Sequence, residues 1–401
     1  MNCRSCNHHQ FESILDLGNH PWCNDFITKD KIGKEKFYPL HLIQCKKCEL
    51  LQLDYTVPKE TMFKNHTYLS SSTKTLKNHF YKLACENIKQ FNLKKEDLIL
   101  DIGGNDGTQM LQYQNAGIDN VLNVESADNI AKISQTSGIK TINDFFNAEL
   151  IDKHQLNNKV KLINASGVFF HLEELHSVIK GIKKALMKDG IFVVQFMYAG
   201  TMIEKLNFDT IYHEHLCYYT LKSLKNLLKS YGFKIFDSYY SDVHSGSIIA
   251  KVCLKNAHKT TERHKKTLKN DLKYTPKKFK KFGKIIEQKK DSLKNFLLSI
   301  KSKNPKVKIY AYGAPAKGNT LLNYFEIDNN IIQKSVEVNE LKINLYLPKS
   351  HIPIAKETID DVPDYYLLLS HNFEKEIIEK NKKLIDKGVK FIIPFPEIKI
   401  I

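Results

Sequence analysis

The feature that most restricts the fold is a pattern of short apolar strands alternating with amphipathic helices, and it occurs twice in the chain. The first series reads LILDIG (98–103), NVLNVE (120–125), KLINAS (161–166) and GIFVVQF (190–196), with helical stretches such as 171–188 between. The second reads VKIYAYG (307–313), a helix containing LLNYF (321–325), SVEVN (335–339), DYYLLLS (364–370) and VKFIIPFP (389–396). Strands joined through helices form parallel sheets covered on both faces, so the expected class is α/β with two such units. Leu76, Phe80, Leu83 and Ile88 predict a further helix over 75–92. The lysine-rich 256–304 stretch carries an apolar stripe of Leu268, Leu272, Phe279, Phe282, Ile286, Leu293, Phe296 and Leu297, which predicts helices joining the two units. No solenoid-type repeat is present.

Residues 1–60 do not share this pattern. They are turn-rich and hold two Cys-x-x-Cys knuckles, Cys3/Cys6 and Cys45/Cys48. Two thiolates across a tight turn converge on one centre, and two such turns complete a closed four-sulfur zinc site with no open position, hence a structural one. The long segment between the knuckles requires a small subdomain of its own. A redox pair needs one such motif beside a helix start; two pairs argue against it. Four unrelated buried cysteines are the bland alternative.

LILDIGGNDGTQML (98–111) is the most informative short stretch. A strand ends at Asp101, and Gly103, Gly104 and Gly107 let backbone approach a ligand before a helix begins. The spacing is neither the dinucleotide fingerprint nor a phosphate-binding loop. Asp106 lies in the same turn, and Glu125 ends the next strand, where a carboxylate can accept ribose hydroxyls. S-adenosylmethionine, a zwitterion with no phosphate, suits this set; a tight turn with no ligand is the competing reading. NDFFN (143–147) offers an aromatic to adenine, with Asp144 for its amino group. NASGVFFH (164–171) brings Asn164 to the same carboxyl edge. Farther on, Tyr312 to Asn319 follows a strand and opens a helix. Its small residues and Lys317 suit a diphosphate, although an empty packing turn has the same look.

FDTIYHEHLCYYT (208–220) gathers tyrosines, histidines and a glutamate at high density. Its histidines are two apart, which is not the spacing of a His-Glu-x-x-His zinc site. With the two knuckles, TYLSSS (67–72), DIGGNDG (101–107), a His-Ser-Gly-Ser turn (244–247), YGAPAKGNTLLNY (312–324) and LPKSHIPI (347–354), this segment resembles the sugar C-methyltransferases. That group contains the 3-C-methyltransferases of nucleotide-linked 4-keto-6-deoxy sugars, and the resemblance covers essentially the whole chain. It implies an N-terminal zinc-binding domain (1–70) and a central Rossmann-like domain binding S-adenosylmethionine (71–255). It also implies a C-terminal Rossmann-like α/β domain (256–401) that helps hold a nucleotide diphospho-sugar. Carried over residue by residue, it makes Tyr68, Tyr212, Glu214 and His215 catalytic, with His215 as base. It places His244, Ser247, Tyr312, Lys317 and Asn319 near the substrate. The chain departs from the pattern at Ser245, where glycine is usual, and at Gln195, where many members carry glutamate. The chemistry agrees independently: carbon methylation beside a ketone needs a base near neutrality and donors for the enolate oxygen.

The net charge of +17 is mostly lysine concentrated around 255–308, and it is expected to reflect composition more than a nucleic-acid surface. No stretch has the length of a membrane span and the N-terminus has no apolar signal core, so a cytoplasmic protein, monomeric or weakly oligomeric, is expected. Methylation at oxygen or nitrogen of a saccharide is the nearest competing activity, and a silent binding module is the competing class.

Overall fold

The computed structural model describes every residue except 64–67, 244, 245, 256, 359 and 360. Thr67, His244 and Ser245 of the motifs above therefore lie outside the described residues.

The N-terminal region is a small antiparallel sheet rather than a set of turns. β1 (Phe11–Pro21) pairs with β2 (Phe37–Cys45), and β2 pairs with β3 (Leu51–Leu53). Its outer strand comes from far along the chain, at Cys217–Tyr218, which pairs antiparallel with β3. The lysine-rich segment forms three helices, Glu262–Asp271, Pro276–Gln288 and Ser292–Lys303. They do more than join the α/β units, because Pro276–Gln288 lies across β1. Phe279, Phe282 and Ile286 are buried there, and at Gly283 an added Cβ would sit 1.7 Å from the carbonyl oxygen of Ile14. Leu272, expected in the stripe, is 63% exposed because it falls just past the end of its helix.

The central sheet holds β4 (Leu98–Ile102), β5 (Val121–Val124), β6 (Thr141–Ile142), β7 (Val160–Ser166) and β8 (Leu186–Met197). After β9 (Cys217–Tyr218) come β10 (Phe233–Ser241) and β11 (Ser247–Leu254). The order is β10-β11-β8-β7-β4-β5-β6, with β11 antiparallel to both neighbours and the rest parallel. The third sheet contains β12 (Ile309–Tyr312), β13 (Lys334–Glu337), β14 (Ile354–Lys356), β15 (Tyr365–Leu368), β16 (Lys390–Ile393) and β17 (Lys399–Ile400). Its order is β14-β13-β12-β15-β16-β17, and only β17 is antiparallel. In both sheets the strand order turns back on itself at the first strand, β4 or β12. The carboxyl ends of those strands are where open α/β sheets take ligands. One continuous apolar cluster runs through all three regions, from Leu15 and Leu42 through Phe169 and Phe196 to Leu321 and Phe395. Among the described residues no helix is long and apolar enough to cross a membrane.

The contact at Gly283 is testable. Alanine favours a helix interior over glycine by about 1 kcal/mol, but here the methyl meets backbone that cannot rotate away. Gly283→Ala should lower stability by ~1–3 kcal/mol through overpacking, seen as a reduced Tm. An unchanged or raised Tm would mean that the helix is not seated on β1.

Candidate active site and zinc centre

The two knuckles have matching backbones. Asn7 and Glu49, each just after the second cysteine, adopt left-handed φ values of 57° and 62°. The amides of Asn7 and Glu49 return to the carbonyls of Cys3 and Cys45. All four sulfurs lie within 4.8 Å of one another, with Cys3–Cys48 at 3.5 Å and Cys6–Cys45 at 3.6 Å. These distances are far too long for disulfides. They approach the edge of about 3.8 Å expected of a tetrahedron with zinc–sulfur arms of 2.3 Å. The thiols also perturb one another: the hydrogen bond between Cys48 and Cys3 favours the thiolate at Cys3 and the thiol at Cys48. The donor set therefore fits zinc. Replacing Cys45 by serine should abolish a tightly held single equivalent of zinc and loosen β1–β3. Metal analysis of wild-type protein returning under half an equivalent would exclude the site.

At the carboxyl edge of the central sheet, Gly103 donates its amide to the Val124 carbonyl at 2.8 Å. Gly104 has no room for a side chain, since a Cβ would lie 2.3 Å from Asn123 Oδ1 and 2.7 Å from Asp101 Oδ2. Gly107 takes φ 78° against Ser134. The Glu125 carboxylate accepts the amides of Asn105 (2.9 Å) and Ala127 (2.8 Å), which braces it across the turn, and carboxylate oxygens have further lone pairs for hydroxyl donors. Asp106 caps the following helix through Thr108 and holds the Ser71 amide at 2.8 Å. Asn105 Nδ2 donates to the Tyr68 carbonyl at 3.2 Å, so Tyr68 is pinned to this turn by its backbone. Asn143 donates to the Glu125 carbonyl, which brings the 143–147 loop alongside; the Asp144 carboxylate accepts the Phe145 amide. Asn164 sits beside Asp101 in register and takes the Tyr113 hydroxyl at 3.3 Å.

Five buried polar atoms along this edge have no partner among the described residues: Asp101 Oδ1, Asn123 Oδ1, Asn164 Nδ2, Ser166 Oγ and Gln195 Nε2. Buried polar groups are rarely left so, and this row spans four neighbouring strands at the edge where open α/β sheets take ligands. Burial, with the nearby charge of Glu125, pushes the Asp101 carboxyl well above its usual range. A ligand ammonium at that place would restore the ionised form. These features fit S-adenosylmethionine.

The segment 208–218 crosses between this edge and the third sheet. Phe208 is gripped by Tyr324, Phe325 and Phe395, with ring centroids 5.2–5.5 Å apart. Buried Asp209 accepts from His371 Nε2 at 2.6 Å and lies 3.8 Å from Lys317 Nζ. Burial alone would raise its pKa, but His371 and Lys317 hold it below the usual carboxylate range. His215 Nδ1 donates to the Thr210 carbonyl at 2.7 Å, and its ring lies 3.8 Å from that of Tyr212 and 4.6 Å from that of Phe170. His213 faces elsewhere, toward the Tyr38 carbonyl of β2. Glu214 is 3% exposed, and its Oε1 accepts from both Trp22 Nε1 and Asn24 Nδ2 at 2.6 Å. His171 Nδ1 donates to the Glu214 carbonyl.

The third sheet repeats the device of the first. The Gly313 amide donates to the Val336 carbonyl at 2.8 Å, as Gly103 does to Val124. Glu337 Oε2 accepts the Ala314 amide at 2.8 Å, as Glu125 Oε2 accepts that of Asn105. Asn319 Nδ2 donates to the Cys23 carbonyl. Lys317 and Asn319 thus face segments 208–210 and 22–24. Tyr312 is not with them: its hydroxyl is taken by Glu357, Lys380 and Asn381 on the other face of the sheet. Ser247 bonds the Val243 carbonyl at the end of β11. Sequence reasoning singled out neither Trp22, Asn24 and His171 nor Asp209, Glu337 and His371. Only Glu337 had a readable signal, an acid closing the strand SVEVN as Glu125 closes NVLNVE.

Glu125→Ala should weaken S-adenosylmethionine binding by about 1.5–3 kcal/mol, the worth of a charged hydrogen bond. Calorimetry showing unchanged affinity would remove Glu125 from the site.

Comparison with known proteins gives a consistent result. Family models match in succession: "Putative zinc binding domain" over residues 3–63, "Methyltransferase domain" over 76–238 and "C-methyltransferase C-terminal domain" over 242–396. C-methyltransferase NovU of Streptomyces niveus is 28% identical over 412 aligned residues, covering 100% of this chain and 96% of that protein. Among solved structures, PH0226 protein from Pyrococcus horikoshii is 14% identical over 47% of this chain and 95% of its own, with a TM-score of 0.39. Geranyl diphosphate C-methyltransferase from Streptomyces coelicolor is 8% identical over 46% of this chain and 81% of its own, with a TM-score of 0.35. The chain is an S-adenosylmethionine-dependent methyltransferase with a zinc-binding N-terminal domain, and it is similar over its whole length to a C-methyltransferase.

Proposed function

We propose that the enzyme methylates a carbon next to the ketone of a nucleotide-linked keto deoxysugar. The observation that carries this reading is the state of His215. A carbonyl can only accept, so the bond to Thr210 puts the proton on Nδ1 and leaves the lone pair of the neutral ring on Nε2, as a general base requires. In this reading His215 Nε2 takes the proton next to the ketone. Tyr212 and Tyr68 donate hydrogen bonds to the enolate oxygen that results. Both phenols keep their protons at neutral pH. Burial and the charge of Glu214 hold Tyr212 well above the usual range; Tyr68 is 45% exposed, and an ordinary phenol stays protonated far above neutrality. Glu214 accepts from a sugar hydroxyl and so sets the ring's orientation. S-adenosylmethionine, bound at Asp101, Gly103–Gly104, Glu125 and Asn164, supplies the electrophilic methyl group. The nucleotide lies along the third sheet, with the pentose hydroxyls on Glu337 and the diphosphate at the Gly313–Asn319 turn. The likeness of that turn to the Gly103–Glu125 turn supports the assignment.

Two measurements test this. Purified enzyme given a 4-keto nucleotide sugar should release S-adenosylhomocysteine, and given the 4-hydroxy form it should not; release with both would favour methylation at oxygen. His215→Asn should lower kcat by at least ~10²-fold, the usual worth of a general base, while still binding S-adenosylmethionine. Exchange of the substrate's α-hydrogen with deuterium isolates the first step. If the His215 variant exchanges at the wild-type rate and a Tyr212 or Tyr68 variant does not, the base is a tyrosine.

A further inference from the structure

We infer that Trp22 and Asn24, in the zinc-binding region, are positioning residues for Glu214, so that this region has a part in catalysis beyond folding. The inference rests on the reading of Glu214 as a group that touches the sugar. Its basis is geometric. Two N–H donors from one short loop converge on one oxygen, Glu214 Oε1, both at 2.6 Å. Hydrogen bonds to an ionised acceptor are the strong ones, and two on one oxygen favour the carboxylate over its acid. Fixing one oxygen also fixes the plane of the group and the direction of the other, which a lone flexible side chain cannot do.

The loop has no freedom of its own to lose this aim. β1 ends at Pro21, and the Asp25 amide closes a turn on the Trp22 carbonyl. The Cys23 carbonyl, between the two donors, is held by Asn319. Ile27 and Tyr346 exchange backbone hydrogen bonds at 3.1 and 2.8 Å. Lys342 lies 4.6 Å from the centre of the Phe26 ring and donates to the Ala314 carbonyl at 2.8 Å. The loop is therefore clamped by the third sheet's turn, the one assigned above to the nucleotide, while its side chains clamp Glu214. A nucleotide settling at that turn would act directly on the support of the loop that aims the carboxylate.

Trp22 is the only tryptophan in the chain, so its indole N–H gives a single resonance that reports the contact without any substrate. That resonance should titrate with Glu214 in wild type, lose the titration in Glu214→Gln, and titrate at higher pH in Asn24→Leu, because a carboxylate that loses a donor is protonated more easily. In turnover with a thymidine diphosphate 4-keto-6-deoxyglucose, Trp22→Phe and Asn24→Leu should each lower kcat about tenfold or more, with the acid limb of the pH profile moved upward. Combined with Glu214→Gln, neither should have further effect, since both act through Glu214. An indole resonance indifferent to Glu214→Gln, or losses that add in full to that of Glu214→Gln, would overturn the inference. A Glu214→Gln variant as fast as wild type, or a wild type inert toward the keto sugar, would instead overturn the reading of the reaction, and the resonance would still decide the contact.

Discussion

The arrangement depends on one short strand pairing. Cys217–Tyr218 adds to the edge of β3, with Leu51 opposite Tyr218 and Gln52 opposite Cys217. The Leu53 amide extends the ladder to the Leu216 carbonyl. A buried backbone must satisfy its own polar groups, and here it does so on the sheet that the zinc knuckles tie at its base. A few residues earlier, Phe208 is locked among aromatics of the third sheet, and the Cys217 amide reaches the Phe170 carbonyl at the edge of the central one. The segment between is held from three sides, so that His215 meets Thr210 and Phe170, Glu214 meets Trp22 and Asn24, and His213 meets Tyr38 with little regular structure of its own.

Charge is handled along this segment by the same rule at each carboxylate. Asp209 is offset by His371 and Lys317, Glu214 by two N–H donors, and Glu125 and Glu337 by the amides of their own turns. Burying an ion without such partners is costly enough to drive neutralisation instead. Asp101 is the exception, fully enclosed, close to Glu125 and with one oxygen unpartnered. A carboxyl so placed either stays protonated or takes a cationic partner, which is the basis for assigning it to the cofactor in the proposed reading.

The sequence showed the parts whose causes are local. A run such as LILDIG is a buried strand by its own composition, and NDG is a turn by its own chemistry, so β4, β5, β7, β8, β12, β13, β15 and β16 were legible to within a few residues, while β6, β10, β11, β14 and β17 were not read. The knuckles were legible because chelation is a spacing rule. What the sequence hid is what depends on distant contacts. Cys217–Tyr218 is two residues long, and nothing local marks it as a strand of the N-terminal sheet. β11 runs antiparallel to its neighbours, which composition does not record. Trp22 and Asn24 are 192 and 190 residues from Glu214 in sequence, and neither a tryptophan nor an asparagine after a strand is unusual by itself. Helix Pro276–Gln288 was recognisable as a helix, but its seat on β1 was not, because a glycine within a helix does not say what approaches it.

The two α/β turns show how one scaffold device can serve unlike ligands. Each sets a glycine amide on the neighbouring strand's carbonyl and braces a strand-ending glutamate with an amide of the turn. What differs is the charge around them. The first turn offers Asp106, itself bonded inward, and the Glu125 carboxylate; that suits a nucleoside with no phosphate, whose own positive charges seek carboxylates. The second has Lys342 bonded to its Ala314 carbonyl, and Lys317 behind the helix start, half balanced by Asp209. In the proposed reading these two lysines, set against Glu337 and Asp209, are what directs the diphosphate to the second turn and S-adenosylmethionine to the first.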